Sequence, residues 1–315
     1  MLSPDMLSPD MLSPDMLSPD MLSPDMLSPD MLSPDMLSPD AQSLIDQISG
    51  ANVSQVQSTG YELRDLTRAE DLELLEEIQK RAWNYNDREV TPGSLMVASV
   101  HTGGIVVGAY PTNSDIPVGF AYSFAAVKGP KSWQHSHMLA ITPEHRGTGL
   151  ATALKLRQRE RALELGFTLM TWTFDPLIAR NARLNLGKLG ARAVAYHAEW
   201  YALRGGIYAG LSADRFMVEW QLSQPSQDHP APKVDGPRAL ERMTSGLFSE
   251  LELSEKVVFV EVPRDIEALK RSDMTLAKSW RQAHREVFTA YFKRGFIATD
   301  LAFEGERTFY RLEKV

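Results

Sequence analysis

Between an apolar strand and an amphipathic helix the chain reads AITPEHRGTGLA at Ala140–Ala151, and no other run constrains it as much. Glycines at 147 and 149 let the backbone turn tightly and bring N–H groups towards a ligand, and the helix start adds unpaired donors and a positive dipole end. The result is a cradle for an anion. Arg146 and His145 flank it, and Lys128, Lys131 and Arg180 offer further countercharge, so a pyrophosphate is a natural guest. The bland alternative is a generic glycine-rich strand-to-helix turn. It is not a Walker loop, since no Lys-Ser/Thr pair follows the glycines, and Gly-x-Gly-x-x-Gly is incomplete.

The rest of the chain supplies the frame. The first 40 of 315 residues are MLSPD eight times over. Its apolar spacing of five fits neither helix nor strand, and each Pro removes a donor, so residues 1–40 are expected to be disordered and 41–60 to be a polar lead-in. The tract's aspartates account for the whole formal net charge of −8. A neutral folding part lacks the basic excess of a nonspecific nucleic-acid or acidic-membrane binder. No cysteine means no disulfide, thiolate zinc site or Cys nucleophile, and suits a reducing cytoplasm, the expected location. No apolar run is long enough to span a membrane.

Strand then helix opens the folding part: Tyr61–Leu66 alternates, and Thr67 with Glu70 makes a capping-box pattern before AEDLELLEEIQKRAW. Strands are expected over 103–110, 118–127 and 133–141, a helix over 147–165, the strand FTLMTWTF, a helix IARNARLNLGKL, and strands near 191–197 and 214–222. Four prolines in Ser223–Pro237 mark a linker. Beyond it, 238–315 reads as a small α/β domain: a strand VVFVEVP, a helix over 272–293, and a strand pair FIATDLAF and TFYRLE. So short a piece should pack on the first domain or on a second subunit, which keeps a homodimer open.

Arg146-x-x-Gly149-x-Ala151, preceded by Ile141–Thr142–Pro143 and followed by helix, strand, then Asn181 and a helix ending at Gly190, resembles the acyl-CoA loop of the GNAT superfamily of N-acetyltransferases. The resemblance covers roughly residues 61–222 and implies a mixed, mostly antiparallel sheet flanked by helices, the remainder being an α/β C-terminal extension. It also implies acetyl- or succinyl-CoA as co-substrate, with pantetheine beside Leu139, Ala140 and Ile141, pyrophosphate on the amides of Gly147, Thr148, Gly149, Leu150 and Ala151 beside Arg146, and a hydrogen bond from Asn181. TPEHRGTGLATALK, TWTFDPLIARNARLNLGKLG and DRFMVEW together are similar to a bacterial subgroup with a C-terminal extension. Some of its members act on amino acids, succinyl-CoA among their donors.

For a base, His135 and His137 lie two apart on one strand and point to one face; His135 falls where the superfamily often has a carboxylate. The bland reading of each is a structural histidine. No third ligand accompanies the pair, so no metal is expected. Where many members have an acid Tyr, this chain has Leu186; Tyr196, Tyr201 and Tyr208 follow and are the substitutes, each otherwise a half-buried aromatic. Asp175 and Arg180 either orient an acceptor or merely cap and solvate a helix; Arg157, Arg180 and Arg204 are candidates for a succinyl carboxylate. The leading expectation is an acyl-CoA-dependent N-acyltransferase acting on a small amine, an amino acid foremost. A catalytically silent acyl-CoA-binding module and a protein N-acetyltransferase are the competitors.

Overall fold

Runs of β-branched and aromatic residues form strands here, and the Gly and Pro clusters between them form the turns. The computed structural model describes residues 60–201, 210–224 and 230–315. The MLSPD repeat, Arg204, Tyr208 and part of the linker lie outside them. The order is β1 (Tyr61–Asp65), α1 (Ala69–Trp83), α2 (Gly93–His101), β2 (Ile105–Pro111), β3 (Gly119–Lys128), β4 (Lys131–Ile141), α3 (Leu150–Glu164) and β5 (Leu169–Phe174). Then come α4 (Ala179–Ala182) running into a π-helix (Arg183–Lys188), β6 (Arg192–Tyr201) and β7 (Ala213–Gln221). The C-terminal part adds β8 (Arg238–Met243), β9 (Gly246–Ser249), β10 (Val257–Val262), α5 (Ile266–Ser272), α6 (Met274–Lys293), β11 (Phe296–Glu304) and β12 (Arg307–Lys314).

All these strands join one sheet in the order β1-β2-β3-β4-β5-β7-β6-β11-β12-β10-β8-β9. The described residues therefore make a mixed α/β fold whose sheet is mostly antiparallel; β4 with β5 and β8 with β10 are its parallel pairs. Residues 238–315 continue the sheet of the first part across β6 and β11, where Ala193 faces Ala298. Around that seam the order β5-β7-β6 is repeated as β10-β12-β11, each built by a strand, a helical segment and two strands, the second segment being the pair α5 and α6. The second set lacks a helix between its parallel strands, and with it any counterpart of the loop at 146–150.

Helices α1 and α2 cover one face of the first half. Leu72, Leu75, Ile78 and Met96 pack there on Val106, Phe120, Tyr122, Met138 and Ala140, an apolar stripe at helical spacing laid on one side of the pleat. Helix α3 covers the opposite face. Three sequence expectations need correction. The Thr67–Glu70 capping box does not form, because α1 begins after Arg68 with no side-chain cap. The helix after the glycine loop begins at Leu150, since Gly147 and Gly149 have φ of 79° and 90° and cannot lie within it. The helix after β5 is α-helical only to Ala182 and then widens into the π-helix. Among the described residues no helix is long and apolar enough to cross a membrane.

Candidate active site

β4 and β5 pair only at Gln134 with Met170 and His135 with Thr171. Beyond that point the strands part, so from Ser136 to Ile141 the side of β4 facing β5 has no strand partner, while its other side stays paired with β3 through Ile141. Unpaired backbone inside a sheet offers a linear ligand the hydrogen bonds of a missing strand. Leu139, Ala140 and Ile141 lie on this edge. It leads into the loop, where a 3-10 turn at Pro143–His145 precedes Arg146 and the two left-handed glycines.

The amides of residues 147–151 make no hydrogen bond to any backbone or side-chain acceptor among the described residues. Gly149, the residue before α3, has no side chain to cap the helix, and residues 146–149 are exposed. A Cβ at Gly147 or Gly149 would meet nothing within 4 Å, so the loop is unobstructed on that side. Five consecutive free N–H groups at the positive end of a 15-residue helix fit a diphosphate by number, direction and charge. Arg146 is placed as a strut: Nη2 donates to Ala82 O at 2.7 Å and Nε to Ile141 O at 3.2 Å. His145 is fixed by the Tyr61 hydroxyl, 2.8 Å from Nδ1. Asn181 lies half-buried in α4.

His135 and His137 both face Phe124, their ring centroids 5.2 and 5.8 Å from it. They share that face by the ordinary alternation of the strand, and His137 is the extra residue of a bulge, since the β3–β4 register shifts between Tyr122 and Ser123. His135 Nδ1 is 2.8 Å from Thr171 Oγ1, which also accepts from Trp133 Nε1 at 3.0 Å. Nε2 is then the free nitrogen, and it accepts a proton only in the tautomer in which Nδ1–H donates to Thr171. Burial, the neighbouring His137 and the charge of Lys155 lower the His135 pKa to about 4. Desolvation also lowers that of His137, although its side chain reaches the surface.

Sequence reasoning missed Lys155. It lies in α3, across the sheet from His135, and is 2 % exposed. Its Nζ donates to Ser136 Oγ at 2.9 Å and Gln158 Oε1 at 3.0 Å and sits 4.0 Å over the Trp172 ring, with no carboxylate partner among the described residues. Burial lowers its pKa to about 7. In the sequence it looks like one more charge of a solvated helix face, and nothing in the spacing distinguishes it.

The tyrosines lie elsewhere. The Tyr196 hydroxyl donates to Asp214 Oδ2, and burial followed by the Asp214 charge pushes its pKa well up. Burial alone would raise Asp214, but hydrogen bonds from Arg285, Tyr196 and the Glu199 amide outweigh it and hold it at about 2. Tyr201, in β6, packs under the Arg215 guanidinium, 5.3 Å from its ring centre. Asp175 accepts from Arg281 and from the Leu177 amide, and Arg157 is bridged to Asp65 and Glu160. Among the described residues no three His, Asp or Glu are grouped to hold a metal.

No family model matches this sequence, and no curated protein matches it. Among solved structures, the chain is similar to a Salmonella typhimurium protein assigned as an acetyltransferase and solved with its cofactor acetyl-CoA. Identity is 21% over 55% of this chain and 98% of that one, at a TM-score of 0.43. The ribosomal-protein-S18-alanine N-acetyltransferase of Escherichia coli aligns at 14% identity over 54% of this chain and 99% of its own, TM-score 0.42. A spermidine N-acetyltransferase mutant of Vibrio cholerae aligns at 15% over 52% and 95%, TM-score 0.41. At these identities and TM-scores, function has to be read from the site.

Proposed function

We propose that this protein is an acyl-CoA-dependent N-acyltransferase of the GNAT type, moving an acetyl or succinyl group to the amine of a small molecule, with amino acids as the favoured acceptor class. The run of free amides at 147–151, continuous with the unpaired edge of β4, carries the reading. Leu139–Ile141 would hold the pantetheine arm and the loop its diphosphate, which brings a thioester to the point where β4 and β5 part. The acceptor amine attacks the thioester carbon, the C–N bond forms as C–S breaks, and thiolate leaves; no enzyme nucleophile is needed. His135, neutral at pH 7, is the group best placed to take the amine proton.

A silent acyl-CoA-binding module is the second reading. It is favoured by the low pKa of His135 and by the commitment of Tyr196 to Asp214. A thiol-release assay with acetyl- and succinyl-CoA across amino acids, polyamines and N-terminal peptides separates the two. Release dependent on an amino acid supports transfer to that class. CoA binding without release on any amine supports the silent module, and release on peptides alone supports protein N-acetylation.

A further inference from the structure

The β11–β12 hairpin lies against helix α4 and encloses with it a cavity of about 350 Å³. Arg180 and Arg183 come from the helical side, Leu301 and Phe303 from the hairpin, and Arg264 and Glu306 are among the other lining residues. Arg264 is matched to Glu306 at 3.3 Å. Of the other two guanidinium groups, that of Arg183 is ion-paired without a hydrogen bond at Nη1 and that of Arg180 is exposed. Arg183 Nη1 is buried 3.9 Å from Asp300 Oδ1, an ion pair too long for a hydrogen bond, and donates to no closer partner among the described residues. The Arg180 side chain makes no hydrogen bond or ion pair with any described residue. The backbone makes room for this arrangement, because a Cβ at Gly187 would collide with Arg183 Nη1.

On this reading the cavity stands apart from the proposed CoA groove. Asn181 stands two positions from both Ala179 and Arg183, roughly 200° around a helix, so it projects from the opposite face. A guanidinium fork matches carboxylate oxygens in plane and spacing, and Arg180 is free to offer one with Arg183 adding charge beside it. Leu301 and Phe303, the latter 42% exposed, supply an apolar wall. The volume is that of a small-molecule site.

We propose that this cavity binds a small organic carboxylate with an apolar body, its charge held by Arg180 and Arg183 and its body laid on Leu301 and Phe303. The site depends on the C-terminal part, which supplies the apolar wall, and it stands whether or not CoA binds elsewhere.

The test is calorimetric titration of the full chain with benzoate, with inorganic phosphate as the probe of charge alone. Benzoate is expected to bind, and more tightly than phosphate. Arg180→Ala, an exposed change that breaks no bond, is expected to weaken benzoate about tenfold, as is Arg183→Gln with an unchanged circular dichroism spectrum. Saturating CoA should leave benzoate affinity unaltered. Absence of benzoate binding, wild-type affinity in Arg180→Ala, phosphate binding more tightly than benzoate, or displacement of benzoate by CoA would each overturn the proposal.

Discussion

Arg281 Nη2 donates to Asp175 Oδ2 at 2.5 Å, joining helix α6 of the C-terminal part to the chain just beyond β5. Both side chains are buried, and Tyr310 reinforces the joint by donating its hydroxyl to Pro176 O at 2.6 Å. The strand that diverges from β4 is thus anchored at its far end by the extension. Desolvation lowers the Arg281 pKa, but the charge and hydrogen bond of Asp175, with Asp214 and Tyr196, together outweigh it and leave the group raised and cationic.

Removing one partner of such a pair strands the other charge in the interior. Asp175→Ala is expected to cost about 3–5 kcal/mol in urea unfolding, and Asp175→Ala with Arg281→Met to recover most of that loss. Equal loss in the single and double variants would show that the pairing is not what matters.

Lys155 is a buried amine without a carboxylate partner among the described residues, and its stability effect has a definite sign. Its folded pKa of about 7 lies below the ordinary lysine value of 10.5, so the unfolded chain binds more protons between those values. The destabilisation is full below pH 7 and fades as pH rises towards 10.5. Lys155→Met is therefore expected to be more stable than wild type at neutral pH by about 1–3 kcal/mol, after allowing for the lost Trp172 contact, and to lose that advantage near pH 10. Unfolding curves at the two pH values check this.

His135 and the fully buried His284 are both lowered to about 4, chiefly by desolvation. Each contributes stability that is present above the usual histidine pKa and is lost as pH falls from about 6.5 towards 4. His284→Phe should flatten the pH dependence of stability over that interval. An unchanged slope would show that His284 is charged in the folded protein.

If His135 takes the amine proton, its protonation leaves kcat/KM untouched between pH 6 and 8, and His135→Ala lowers kcat by about 10²–10⁴-fold with little change in CoA affinity. An activity loss in wild type centred on pH 6.5 would place the base at a histidine with an ordinary pKa. Full turnover in both His135→Ala and His137→Ala would remove histidine from the reaction.

Much of this frame is legible in the chain. Helix α1 occupies the expected AEDLELLEEIQKRAW because its apolar spacing, acidic first turn and basic last turn agree. Helix α2 is not legible: GSLMVASVH is short and apolar on most sides, without a polar face to reveal a period. β8 and β9, RALERM and GLFS, are too short and mixed to alternate clearly. The π-helix escapes because its sequence keeps an ordinary helical pattern and only the backbone widens. At the site, the glycine loop is local and readable, whereas Thr171 beside His135, Ser136 beside Lys155 and Arg281 on Asp175 are brought together across 36, 19 and 106 residues. Such pairs follow from the order of strands, which hydrophobic patterning does not specify.

Amide resonances of Gly147 and Gly149, followed by nitrogen-15 labelling of glycine during titration with CoA and with 3′,5′-ADP, probe the anion cradle itself. Both ligands should move those two signals strongly and saturably, with Gly149→Val abolishing the response while the fold persists. Signals that stay in place at saturating CoA, or a Gly149→Val protein that binds CoA as tightly as wild type, would contradict a diphosphate held by residues 147–151.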